Sequence, residues 1–388
     1  MEQLWTKPFL LMTVATLFLF TAFYMLYPTL PLFIKRIGGN GSHVGWATGM
    51  FMLSAVLFRP FVGGLLDRFG RRSFIIGGVI LFAVAMYVYP WIGGIAALMA
   101  LRIGHGVSWA VSTTSMLTVA TDVIPPNRRG EGMGWFGTAM TAAMAIGPMI
   151  GLAVAENISY HGLFLFAALL SMLALLLVLP ADMPFQRQSG AKRVEFFEPS
   201  VLPVAVSVIF LFLAYGGITT FVPLFARSIH VNSGMFFLVY AATLMLSRPL
   251  AGKLSDRYGE AFVIVPALVI TIFALLLLSI SKGWFGFLAA AVLFGIGFGS
   301  AQPALQAAMI RIARPDRIGV ANASFTTATD LGIGLGAILL GRISEQAGYQ
   351  TMFVSGALSV AVSFVLFSLF GKRLLKNKES SLEKVNSV

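Results

Sequence analysis

Twelve stretches of this 388-residue chain are apolar enough and long enough to cross a hydrocarbon core of about 30 Å as helices. They fall at residues 8–34, 43–66, 73–90, 94–121, 132–155, 162–181, 201–226, 233–252, 261–281, 284–310, 319–341 and 349–371. Nothing constrains the fold more, because inside lipid each backbone N–H and C=O must be satisfied within a helix or a closed barrel. The short alternating segments of a transmembrane barrel do not occur, so the spans are helices. Only the breakers Pro90, Gly93 and Gly94 separate the third span from the fourth. The first span is longer than a signal-peptide core and lacks a small-residue cleavage pattern, so it is expected to stay in the mature protein.

Composition excludes a soluble chain as well: 58% of residues are apolar and 11% charged, against about 45–50% and about 25% in soluble domains. The formal charge of +12 raises nucleic acid as a partner, and the positions of the basic residues answer the question. With twelve spans both termini share one face. That face holds 19 of the 27 Lys and Arg: Lys7, the loops after the even-numbered spans, and the tail. By the positive-inside rule it is cytoplasmic, the basic surplus sets orientation, and no nucleic acid is needed. No cysteine and only four histidines leave no thiolate centre, so no metal and no cofactor is expected. The polar segment 182–200 reads as a cytoplasmic linker between an N-terminal bundle, 1–181, and a C-terminal bundle, 201–371. Residues 372–388 form a cytoplasmic tail.

The chain repeats itself at an offset of 189 residues. Arg59-Pro60-x-x-Gly63-x-x-x-Asp67-Arg68-Phe69-Gly70 recurs as Arg248-Pro249-x-x-Gly252-x-x-x-Asp256-Arg257-Tyr258-Gly259. The same offset pairs Pro126 with Pro315, Phe136 with Phe325 and Gly147 with Gly336. A duplicated six-helix unit is the mark of secondary transporters, whose site lies between two similar halves that rock about it.

Gly63-x-Leu65-x-Asp67-Arg68-x-Gly70-Arg71-Arg72 resembles the signature loop of the major facilitator superfamily. Arg102-x-x-x-Gly106 in the fourth span, and Gly134 with Gly147-Pro148-x-x-Gly151 in the fifth, are similar to that family's motifs, the latter to the one associated with drug/proton antiporters. Ala143 and Leu152 stand where that pattern usually has Gly. The resemblance covers the whole chain. It implies an all-α membrane protein, with twelve transmembrane helices in two pseudo-symmetric six-helix bundles.

Asp67, Arg71 and Asp122 lie at one level and are expected to form a charge cluster that latches the cytoplasmic gate, with Arg68 beside them. An acid there would also favour the positive N-terminal end of the eleventh helix, near Gly319. In the second half Asp256 and Arg257 form the counterpart, with Asp256 facing the fifth helix near Glu131. Glu260 replaces the equivalent of Arg71, so the two latches should be unequal. Arg59 and Arg248, about 12 Å deeper, are expected to snorkel toward the surface. Ala143, Gly147 and Gly151 make a smooth face beside the kink at Pro148, expected to meet the eighth helix.

Asp330, mid-way along the eleventh span, is the only acid placed so deep. A lone carboxylate there must be protonated for part of a cycle or paired with a cation, which makes it a candidate proton carrier. Arg102 and His105, three apart on one helix face, are its candidate complements. The resemblance implies a cavity lined by spans one, four, seven and ten, whose candidates are Tyr24, Tyr27, Trp109, Thr113, Tyr215, Thr219, Gln302 and Gln306. That mostly apolar, aromatic lining suits amphipathic organic molecules.

The chain therefore reads as a secondary transporter of the inner cell membrane, a monomer that exchanges protons for small organic compounds by alternating access. Symport of a sugar, organic acid or other nutrient is the second reading. A membrane enzyme or sensor is remote, and the lack of a nucleotide-binding loop argues against ATP as the direct energy source.

Overall fold

The computed structural model describes residues 3–125, 128–181, 183, 199–314 and 317–375, except for the side-chain surroundings of residues 64, 67, 129, 130, 318 and 319. Pro126, Pro315, most of the expected linker and the tail beyond residue 375 lie outside the described residues. Among the described residues there is no strand, and eleven helices are long and apolar enough to cross a membrane. They are α1 (Lys7–Arg36), α2 (Gly41–Phe69), α3 (Arg71–Val88), α4 (Ile95–Val123), α5 (Arg129–Asn157), α6 (Tyr160–Val178), α7 (Leu202–Ser228), α8 (Ser233–Tyr258), α9 (Glu260–Ile280), α10 (Trp284–Ile312) and α11 (Ile318–Leu366).

Eleven helices supply twelve spans because α11 contains two. Its 49 residues would reach about 74 Å if straight, far beyond one bilayer core. Gly348, at φ +81°, breaks the helix into arms at 318–347 and 349–366. The equivalent position of the first half is Ser159, which separates α5 from α6 in an extended conformation and caps α6 by accepting a hydrogen bond from the Gly162 N–H at 2.9 Å. The breakers between the third and fourth spans act as expected, with a short 3-10 turn at Tyr89–Trp91 before α4 begins.

Local chemistry sets the remaining ends. Asn40 and His43 form a reciprocal capping box at the start of α2, which gives His43 a structural task. Gly70 and Gly259, at φ +89° and +85°, end α2 and α8 in the left-handed region that a side chain disfavours. These two glycines are themselves equivalent under the repeat.

The chain forms two compact units, Met1–His43 with Met50–Val194, and Val44–Gly49 with Glu195–Val388. In the first, α1 packs on α5 and α6, and α3 on α4 and α6; in the second, α7 packs on both arms of α11, and α10 on α8 and α9. Lipid provides no hydrophobic drive between helices, so these contacts rest on close packing and hydrogen bonds. In the second unit, Ser207 and Ser363 exchange hydrogen bonds with each other's carbonyls at 2.8 Å, tying α7 to the second arm of α11.

Candidate functional site

The repeat extends from residue names to contacts. Arg59 donates to Thr113 Oγ1 at 3.1 Å, and at the same offset Arg248 donates to Gln302 Oε1 at 2.7 Å. Both guanidiniums thus find oxygen acceptors on the neighbouring helix, which corrects the expectation that they snorkel: an acceptor within reach satisfies the cation without the long excursion to water. Gly106 would direct a Cβ onto the Phe51 carbonyl and Ser54 Oγ, as Gly295 would onto the Tyr240 carbonyl and Thr243 Oγ1. Arg68 lies over the ring of Phe69, and Arg257 over that of Tyr258, each at 5.2 Å.

At the end of the first unit that carries the signature loop, Arg71 forms an ion pair with Asp122. The side chain of Asp67, the third expected member of the cluster, lies outside the described residues, as do the surroundings of Gly319. The second unit repeats the pair with its signs exchanged. Glu260 stands at the position of Arg71, Arg311 at that of Asp122, and the two meet at 2.9 Å. Asp256 is exposed at the end of α8, and Glu131 is bound by Arg128 through two hydrogen bonds of 2.9 Å.

Arg102 and His105 are both buried and both reach the hydroxyl of Tyr89. Arg102 donates to it at 3.2 Å, and the hydroxyl shares a second hydrogen bond with His105 Nδ1 at 2.9 Å, whose direction follows the imidazole tautomer. Arg102 also lies 4.2 Å from the centre of the Phe51 ring. The rings of Phe51, Phe82 and Tyr89 surround the imidazole. Tyr89 was not evident in the sequence; its one signal is a tyrosine directly before the breaker Pro90, where it enters the 3-10 turn and points back at α4.

Gly147 and Gly151 pack on α1. A Cβ at Gly147 would lie 2.6 Å from Tyr24 Cβ, and one at Gly151 would press on the Met25 main chain. Consecutive six-helix topology makes α1 the neighbour of α5 in its own unit, and the glycines let two backbones touch. Gly134 has nothing described within 4 Å of a Cβ and is not a packing glycine. Pro148 lies within α5 as expected.

Among the cavity candidates, Tyr24 and Tyr27 are half-buried and meet edge to face at 5.2 Å. Trp109 is buried in the core of its unit, stacked on Phe23 at 4.0 Å and beside Phe20. Thr113 accepts from Arg59. In the second unit Tyr215 is buried and stacked on Phe298 at 4.3 Å, and Thr219 donates to the Tyr215 carbonyl. Gln302 is engaged by Arg248, while Gln306 donates to Asn322 Oδ1 on α11 at 3.1 Å.

Asn322 is the member of this site that sequence reasoning missed. It opens a polar stripe on α11 that continues through Thr326 to Asp330 at four-residue steps, which stacks them on one helix face. Asp330 is only 6% exposed. A deeply buried carboxylate on a polar stripe of a membrane helix is able to take up and release a proton if a path to water opens.

A family model described as the Major Facilitator Superfamily matches residues 12–247 and again 204–386. Among curated proteins, the chain is 26% identical to the staphylopine export protein of Staphylococcus aureus, over 93% of this chain and 95% of that one. It is also 26% identical to the quinolone resistance protein NorA of Staphylococcus aureus, over 93% and 96%. Among solved structures it is similar to a bacterial homologue of the human lysosomal transporter Spinster, in its inward-facing and occupied conformation (TM-score 0.76, 17% identity, 96% of each chain). It is similar as well to the nucleoside transporter NupG (TM-score 0.73, 17% identity, 94% of this chain and 99% of that one). These two likenesses speak to the fold.

Proposed function

The chain belongs to the major facilitator superfamily and is a multi-pass membrane transporter, and from that premise we propose that it exports small amphipathic organic compounds in exchange for protons. The observation that carries the reading is Asp330, a carboxylate buried mid-way along a membrane helix on a polar stripe. Such a group is neutral or compensated when sealed from water, so a cycle that opens it to each side in turn carries a proton. The names of two similar proteins, an export protein and a quinolone resistance protein, support the outward direction.

In this reading Asp330 is the proton carrier. Arg102, steadied through Tyr89 with His105, supplies the positive charge of the first half. The half-buried Tyr24, Tyr27 and Gln306 supply substrate contacts. The Arg71–Asp122 and Glu260–Arg311 clamps brace the loops on the basic face, which is cytoplasmic by the distribution of Lys and Arg. The protein works as a monomer in the cell membrane, with both termini inside.

The test is proton movement in proteoliposomes holding an imposed pH gradient, with candidate compounds added one at a time, for the native protein and Asp330→Asn. A compound that discharges the gradient with native protein and not with Asp330→Asn supports exchange and begins to define the substrate. Movement of labelled compound with no proton flux overturns the coupling and the role of Asp330. Proton flow in the same direction as the compound makes the protein a symporter.

A further inference from the structure

The second unit carries an apolar groove of about 440 Å³ between α8 and α9, floored by α10. Helices α8 and α9 each pack closely on α10 and only sparingly on each other, which leaves the gap. Leu246, Leu250 and Leu254 of α8, Phe262 and Ile270 of α9, and Ile296 of α10 line it. Its rim is open: Leu246 is 71% and Leu250 63% exposed. The hydroxyls of Thr243 and Ser247, also in the wall, are spent on helix carbonyls: Thr243 Oγ1 donates to Val239 at 2.8 Å and Ser247 Oγ to Leu244 at 3.1 Å. A groove so lined, with the hydroxyl of Ser300 on α10 as the one further polar side chain, takes hydrocarbon and offers little to a polar molecule.

Length and charge specify the occupant further. From Thr243 to Leu254 the α8 wall runs about 16 Å, close to the depth of one leaflet, which is half of the roughly 30 Å core. Lys253 and Arg257 continue the leucine stripe, three and seven residues after Leu250, and both are exposed at the end of α8. They outnumber Asp256, the exposed acid of that helix end, and Glu260 is held by Arg311. Arg257 lies over Tyr258, whose ring meets that of Phe262 in the groove wall at 5.0 Å. A hydrocarbon slot one leaflet deep thus ends in two cations at the level where headgroups lie.

We propose that this groove binds one acyl chain of an anionic phospholipid, from the leaflet on the basic face, with its headgroup phosphate on Lys253 and Arg257. The site lies within the second unit and does not depend on the direction of transport or on Asp330.

The test uses the full chain in lipid nanodiscs containing phosphatidylglycerol with a photoreactive diazirine on its acyl chain, or phosphatidylcholine with the same tail. Cross-linked peptides are mapped by mass spectrometry. With native protein, labelling concentrates in 243–270 and 296–300 and is more than tenfold stronger for the anionic lipid, since two cations at about 1 kcal/mol each multiply to about 25-fold. Lys253→Gln and Arg257→Gln each reduce that preference about fivefold, as expected for a basic side chain near an anionic surface. Leu250→Trp fills the groove and lowers labelling by both lipids, and Ile270→Trp does so from the opposite wall should the first variant fail to fold. Labelling spread evenly around the exposed helices, equal labelling by the two lipids, or indifference to the two Gln variants overturns the proposal. So does displacement of the lipid by a small amphipathic cation, which would assign the groove to transported compounds.

Discussion

Exchanging the two charges of the first clamp should stabilise the protein. Arg71 is the first residue of α3 and Asp122 the penultimate residue of α4. The cation therefore faces the positive end of a helix dipole and the anion a negative end, both unfavourable. In the second clamp, Glu260 opens α9 and Arg311 lies in the last turn of α10, where each sign agrees with its dipole. One such contact gains or loses roughly 0.3–1 kcal/mol at exposed sites. Arg71→Glu with Asp122→Arg keeps an ion pair and turns two opposing dipole contacts into two favourable ones. The native side chains are 13% and 28% exposed, so after solvent screening a gain of about 1 kcal/mol remains. Glu260→Arg with Arg311→Asp should lose a similar amount. Each single reversal sets like charges against each other and also loses about 1 kcal/mol. The assay is thermal unfolding of the purified protein in detergent at low and high salt, where the two double exchanges shift the midpoint in opposite directions and the difference shrinks as salt rises. If both exchanges destabilise equally at low salt, the dipole argument is wrong and side-chain geometry alone sets the clamps.

Three other experiments probe the packing and the buried polar cluster. Gly151→Val should destabilise by about 1–3 kcal/mol or prevent folding, since its Cβ meets the Met25 main chain, whereas Gly134→Ala should be neutral or slightly stabilising; expression and thermal midpoints separate the two. Tyr89→Phe removes the oxygen shared by Arg102 and His105 and should cost about 1–3 kcal/mol in unfolding measurements, with a matching loss of transport. Gly295→Ala should destabilise, and Thr243→Ala should recover part of that loss when combined with it, because the nearest atom to the new methyl is Thr243 Oγ1; a double-mutant cycle in thermal unfolding measures the recovery.

The helices and the repeat were legible because lipid imposes them: a span must be apolar and about 20 residues long, and duplication preserved one offset. The ion pair of Arg71 with Asp122 was legible from level alone. Four features were not, each for a physical reason. Glu260 made the two latches look unequal until Arg311 proved to carry the complementary change, which takes two positions read together. The α1 contact of the Gly147 face was missed because glycine spacing reports a smooth surface and not what lies on it. The last two spans were bounded at residues 341 and 349 by their apolar stretches, yet helix continues through Arg342 and Glu345 to Gly348, since polar residues with good helix propensity extend a helix past the hydrocarbon. Asn322 was overlooked because a lone amide near a helix start resembles a cap until the stripe to Asp330 is drawn.

The glycine seams also determine which mutations a second mutation is able to rescue. At Gly151 the atoms in the way are the Met25 carbonyl and Cα, at Gly336 those of Leu213, and at Gly216 those of Ile333. These are main-chain atoms, so no replacement at the partner position shortens them. Gly295 differs in part, since the nearest atom there is a threonine hydroxyl that is removable by substitution, with the Tyr240 carbonyl as the main-chain contact that remains. A selection for second-site revertants should therefore repair part of the damage at Gly295 through its threonine contact and leave damage at Gly151, Gly216 and Gly336 without local suppressors. Adaptive change in such a protein is channelled away from the α1–α5 and α7–α11 seams and toward the ring clusters around Trp109 and Tyr215, where one side chain is able to shrink as another grows.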